Sequence, residues 1–129
     1  MALQILVIGE AGKGRKKDVF MNHLKFDLIG RGYQADFLGG AQKALGLIRE
    51  MNCFNLVVIR QNMKDMQGRD LAWRIKAVWP EIKIILISQN ESDEAFKKSS
   101  DIDGVVLGFS LENVYDVIAD IFGLERTVI

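Results

Sequence analysis

The chain has 129 residues, 49% hydrophobic and 26% charged, enough to bury one core and ordinary for a globular domain. Seventeen basic residues offset seventeen acidic ones, so no net field draws nucleic acid or an anionic membrane. One cysteine, Cys53, excludes an internal disulfide and a cysteine-based zinc site, and MALQILVIGE is too short an apolar run for a signal peptide or a membrane span.

Short apolar runs alternate with helical patterns. The runs are Leu3–Ile8, Tyr33–Leu38, Phe54–Ile59, Ile82–Ile87 and Gly104–Leu107. Three of them are continuously apolar and rich in Val and Ile, as strands covered on both faces should be. The mixed YQADFL suits an edge strand. Between the runs, Phe20, Leu24 and Leu28 recur at helical spacing, and Gly32 stands where a C-terminal cap belongs. A second helix is expected over Ala41–Met51, with Leu45 and Ile48 facing in. A third runs over Arg69–Trp79 through Leu71, Ile75 and Val78 until Pro80 stops it. A fourth, near Asp93–Ser99, is short and weakly apolar. The fifth carries Leu111, Val114, Ile118 and Ile121, with Ser110 as its N-cap. Five strands alternating with five helices predict a doubly wound parallel α/β sheet, one domain over residues 1–129, with ligands at the carboxyl ends of the strands. Ending soon after the fifth helix suits a stand-alone module, and the expected compartment is the cytoplasm.

One candidate site lies at the first of those ends. GEAGKGRKK, Gly9–Lys17, is one residue from the phosphate loop G-x-x-x-x-G-K-[ST], in which backbone N–H groups and a Lys hold phosphates. Arg15 stands in the Lys position, and Lys16 replaces the hydroxyl that would bind Mg²⁺. The third strand ends in Arg60 rather than an Asp. The favoured reading is therefore a glycine-rich strand-to-helix turn with solvated bases. Binding of a small anion or nucleotide by Gly9–Lys17 and Arg60 is the alternative.

The stretch FNLVVIRQNMKDMQGRDLAWRIK resembles the centre of a response-regulator receiver domain of the CheY-like superfamily. Arg60 falls on the phospho-accepting Asp, Lys64 on the loop Pro, and Met66 and Gly68 on later loop positions. ILVIGEAGKGR resembles the first strand, with Gly9 and Glu10 on the acidic pair and Arg15 on a frequent helix-1 Arg. WPEIKIILIS places Ser88 on the switch hydroxyl, and DGVVLGFSLENV leaves Gly108 where Lys-Pro should be. The resemblance spans nearly the whole chain and implies a flavodoxin-like sheet of strand order 2-1-3-4-5 acting in two-component signal transduction.

It also implies which chemistry is missing. In typical members, carboxylates from strands one and three hold Mg²⁺, and the third-strand Asp takes a phosphoryl group from a phosphohistidine. Here the acidic positions read Gly9, Glu10 and Arg60, and a guanidinium is neither a nucleophile nor a ligand for a hard dication. The Lys and the fifth-strand aromatic are gone as well. The expectation is a degenerate pseudo-receiver, non-enzymatic, with its Mg²⁺ site lost and no cofactor. A displaced phospho-acceptor, Ser88 or Asp65, is a second alternative. With one acid replaced by a cation, Glu10 and Arg60 are expected to form an ion pair.

Binding surfaces then carry the function. Trp73 should point outward between Arg69 and Lys76, as an interface anchor would. Val117 lies off the core stripe of the last helix, with Tyr115 nearby. With the TVI tail it could extend a face of the fourth helix, fifth strand and fifth helix, through which receivers commonly dimerise. The implied partners are signalling proteins, such as a histidine kinase or another regulator, or a second copy, and neither nucleic acid nor membrane. His23 has no second ligand near in sequence and reads as structural. Lys13, Arg15, Lys16 and Lys17 read as a solvated turn.

Overall fold

A computed structural model describes residues 3–12 and 18–124. Five strands form one parallel sheet: β1 (Gln4–Gly9), β2 (Gln34–Gly39), β3 (Leu56–Arg60), β4 (Lys83–Ser88) and β5 (Gly104–Leu107). Their spatial order is β2-β1-β3-β4-β5, the predicted one. Four α-helices, α1 (Val19–Gly30), α2 (Ala41–Glu50), α3 (Gly68–Val78) and α4 (Leu111–Phe122), cover it. The fourth predicted helix is a 3₁₀ helix, Glu91–Lys98, with no buried residue and only Phe96 packed partly on the core.

Side chains alternate across a strand, so each strand feeds two cores. Leu6, Ile8, Val57, Ile59, Ile84 and Leu86 pack under α2 and α3. Ile5, Val7, Leu56, Val58, Ile85 and Ile87 pack under α1 and α4. Each fully buried Leu or Ile contributes about 1.5–3 kcal/mol of transfer free energy, which explains why these runs lack polar residues.

The helix ends follow local chemistry. The Asp18 carboxylate caps α1 by accepting the Met21 N–H at 3.3 Å, and Ser110 caps α4 through the Asn113 N–H at 3.2 Å. Beyond α1, Gly32 takes the left-handed turn with φ +95°. The cap of α2 is Gly40, which has no side chain. Asp65, from the β3–α3 loop, accepts the Gln42 N–H instead, at 3.0 Å.

Val78 departs from the expected core stripe and is exposed, whereas Leu71, Ala72 and Ile75 are buried. Trp79 closes that end of the α2–α3 seam, its indole N–H donating to the Ile48 carbonyl at 2.6 Å. Among the described residues, no helix is long and apolar enough to cross a membrane.

Candidate functional site at the carboxyl edge of the sheet

The strand register decides which side chains meet at this edge. β1 pairs with β3 so that Ile8 lies beside Ile59, which sets Gly9 beside Arg60 on the α1–α4 side. Glu10, one residue on, belongs to the opposite side. The expected Glu10–Arg60 ion pair is therefore absent. Arg60 Nη1 donates instead to Asp18 Oδ2 at 2.9 Å. Glu10 directs its carboxylate to the β3–α3 loop, where both oxygens accept the Lys64 N–H, at 3.2 and 3.0 Å.

Asp18 is the organising residue that the sequence reading missed. Its side chain is 1% exposed, against 25% for Arg60. Besides Arg60, its Oδ2 accepts the Glu10 N–H at 3.0 Å, and its Oδ1 accepts the Met21 N–H. A Cβ at Gly9 would lie 2.7 Å from Asp18 Oδ2 and 2.9 Å from Met21 Cβ. The carboxylate from the start of α1 thus fills the space that a strand side chain at position 9 would need. Two signals pointed to it: an Asp directly before an apolar helical run is an N-cap pattern, and strand parity pairs position 60 with position 9.

The guanidinium also has an aromatic floor. Gly108, at φ +84°, turns the chain after β5 so that Phe109 lies beneath Arg60, with 4.8 Å from guanidinium carbon to ring centroid. Phe109 stacks in turn on Phe20, with centroids 4.9 Å apart. With Glu10, Asp18, Val19 and Asn62 these residues line an open cleft of about 430 Å³.

Mg²⁺ requires hard anionic oxygens in near-octahedral array. Here Asp18 and Glu10 already accept backbone N–H groups, and a fixed cation is bonded to Asp18. The residues present do not fit that ion, and no group of three or more His, Cys, Asp or Glu suited to a metal occurs among the described residues.

The proposed alternative acceptors lie elsewhere. The Ser88 hydroxyl is buried, donates to Asp93 Oδ2 at 2.5 Å and accepts the Asn90 N–H at 3.0 Å, which ties β4 to the 3₁₀ helix. Asp65 is committed to the start of α2. Residues 13–17, most of the phosphate-loop-like stretch and its basic cluster, and the TVI tail lie outside the described residues.

Of the surface candidates, Trp73 is 61% exposed. Tyr115 and Val117 are packed within the chain. The Tyr115 hydroxyl donates to Asp27, and the Arg31 guanidinium lies over its ring at 3.7 Å. That hydrogen bond is the chief reason the Asp27 carboxyl sits below its ordinary range, while burial first, and Asp27 second, push the Tyr115 hydroxyl up. Val117 covers Gly104, where a Cβ would lie 2.3 Å from Val117 Cγ1, a close helix-to-strand contact.

No family model matches the chain, and no curated protein does. Solved structures do. The response regulator TrrA of Thermotoga maritima, in complex with Mg²⁺–BeF, superposes with a TM-score of 0.77 at 22% identity, covering 94% of this chain and 99% of that one. A CheY-like receiver domain from Methylobacillus flagellatus gives 0.77 at 18% identity, with 94% and 99% covered. An adenylate cyclase structure from Rhodopirellula baltica gives 0.79 at 12% identity, with 95% and 89% covered. Likeness at such identities speaks to the backbone and its topology. The chain has the fold of the CheY-like receiver domains of two-component response regulators.

Proposed function

We propose that the protein is an atypical receiver module in two-component-type signalling, non-enzymatic, acting through protein–protein contact without Asp phosphorylation or Mg²⁺. The observation that carries this reading is the Arg60–Asp18 pair. It puts a permanently protonated guanidinium at the end of β3, where the resemblance calls for a nucleophilic carboxylate. Its closest carboxylate is buried and fully engaged. Signalling proteins such as a histidine kinase or another regulator are the partner class, and the cytoplasm is the compartment.

The test is intact-mass spectrometry after incubation with a small phosphodonor and Mg²⁺. No mass shift of a phosphoryl group is expected; a stable adduct, on any residue, overturns the reading. Thermal shift with phosphate and with nucleotides addresses the anion-binding alternative. The expected result is no stabilisation, because the one described cation in the cleft is already neutralised by Asp18 and Glu10 adds a further negative charge.

A further inference from the structure

In the strap that joins β4 to β5, local sequence and observed winding disagree. Glu91–Lys98 carries the signals of an α-helix: Glu, Ala and Lys are strong helix formers, with acids in the first turn and Lys97 and Lys98 in the last. Asn90 caps it by accepting the Ser92 N–H at 3.1 Å. Asp93–Lys97 and Glu94–Lys98 are acid-to-lysine pairs at the four-residue spacing that supports an α-helix. The segment is nonetheless a 3₁₀ helix of 8 residues, although such runs seldom exceed about 3–4. Its end hydrogen bonds step back three residues: Asp93 N–H to the Asn90 carbonyl at 3.0 Å, and Ser99 N–H to that of Phe96 at 2.9 Å. Burial has the same period. Asp93, Phe96 and Ser99 are half-buried, and every other residue from 91 to 100 is exposed. Asp93 accepts the Ser88 hydroxyl, and Phe96 packs on the core with the Arg69 guanidinium over its ring at 5.0 Å. Residues three apart eclipse in a 3₁₀ helix and lie about 60° apart in an α-helix, so these two anchors together impose the tighter winding.

We propose that the strap has a second, α-helical state, held off by the Ser88–Asp93 hydrogen bond. Its far end is the firmer one: Ile102 is buried, and Asp103 Oδ2 accepts both Lys76 Nζ and the Ile84 N–H at 2.8 Å. Release therefore starts at Ser88. In the α-helical state Phe96 and Ser99 keep their places, and Asp93 turns away to Lys97. Glu94, now on Lys97 at 3.0 Å, passes to Lys98, and Glu91 and Glu94 no longer eclipse. A rise of about 1.5 rather than 2.0 Å per residue shortens the 8 residues by about 4 Å, which draws Asn90 off the Ser88 oxygen. The two states differ in whether the Ser88 hydroxyl is engaged, which makes the strap a switch operated from the carboxyl edge of the sheet.

The experiment is nuclear Overhauser spectroscopy on the full chain as wild type, Ser88→Ala, and Ser88→Ala with Lys98→Glu. Cross-strand contacts within the sheet show that each variant is folded. A contact from Hα to the amide proton two residues on marks a 3₁₀ helix, and one four residues on marks an α-helix. Wild type should show the first kind over the strap. Ser88→Ala leaves the strap sequence untouched and should exchange the first kind for the second. Adding Lys98→Glu sets two like charges four residues apart, which penalises the α-helical state alone. It should move the ratio of the two kinds back about two- to fivefold. A Ser88→Ala strap that keeps its 3₁₀ contacts overturns the proposal. So does one that loses both kinds, or a ratio that Lys98→Glu leaves unchanged.

Discussion

Gly9 and Gly68, on the two sides of the Arg60 cleft, are required for different reasons. At the start of α3, a Cβ at Gly68 would lie 2.6 Å from the Arg60 carbonyl oxygen and 2.8 Å from Leu86 Cδ1, so glycine is demanded by backbone and core. In the β1–α1 connection the glycine, Gly9, is demanded by side chains of the α1 start: the Asp18 carboxylate at 2.7 Å, which belongs to this chain's own ion pair, and Met21 Cβ at 2.9 Å. A position can thus require glycine either because of how the fold packs or because of what a neighbouring side chain has taken over.

Substitutions can break this contrast or sharpen it. The largest effect is expected from Asp18→Ala, which strands a partly buried guanidinium and removes the α1 cap; the cost should be about 3–4 kcal/mol in denaturant unfolding. A loss below about 1 kcal/mol would mean that Arg60 simply turns to solvent. Gly68→Ala should come next, at about 2–3 kcal/mol, as overpacking against backbone allows no cheap relaxation. Gly9→Ala should cost about 1–2 kcal/mol in the wild type and less, though not nothing, in the Asp18→Ala background, where Met21 Cβ at 2.9 Å still opposes the added methyl. Gly68→Ala should cost the same in both backgrounds. Additivity at Gly9 would remove Asp18 as the reason for that glycine.

Arg60→Asp exchanges the internal cation for a third carboxylate beside Glu10 and Asp18. The variant should be less stable than wild type without metal, and millimolar Mg²⁺ should restore about 1–2 kcal/mol by thermal shift, an effect absent from the wild type. Indifference of the variant to Mg²⁺ would show that Asp18 does not stand where a strand carboxylate would.

The smallest effects concern the α1–α4 link, remote from the cleft. The Asp27 carboxyl is held below its ordinary 3.8, so the stability it contributes is present above that pH and lost as pH falls through its lower folded value. The Tyr115 hydroxyl is raised above its ordinary 10.0, so its contribution is complete below pH 10 and declines as pH rises beyond it. Tyr115→Phe should cost about 1 kcal/mol at neutral pH and flatten the stability profile above pH 10. An unchanged alkaline slope would place its origin elsewhere.

The fold was legible because its signals are collective. Ile84 to Ile87 could only be a strand covered on both sides, and the strand order followed from the resemblance. Val78 failed because periodicity does not say where a helix loses its core, and Trp79 took the last place in the seam. At the site, Arg60 and Glu10 were both marked as unusual, but their pairing was inferred from proximity at strand ends, without strand parity. Phe109 was invisible because its position depends on the left-handed turn at Gly108, which spacing does not encode. Asp18 lay outside the family pattern, and only the register brings it beside Arg60.

The trans cap of α2 by Asp65 has a further consequence. The helix start and the loop after β3 share one hydrogen bond, so neither can shift without releasing the other. Moving that loop would leave the Gln42 N–H, in the first turn of α2, without its acceptor.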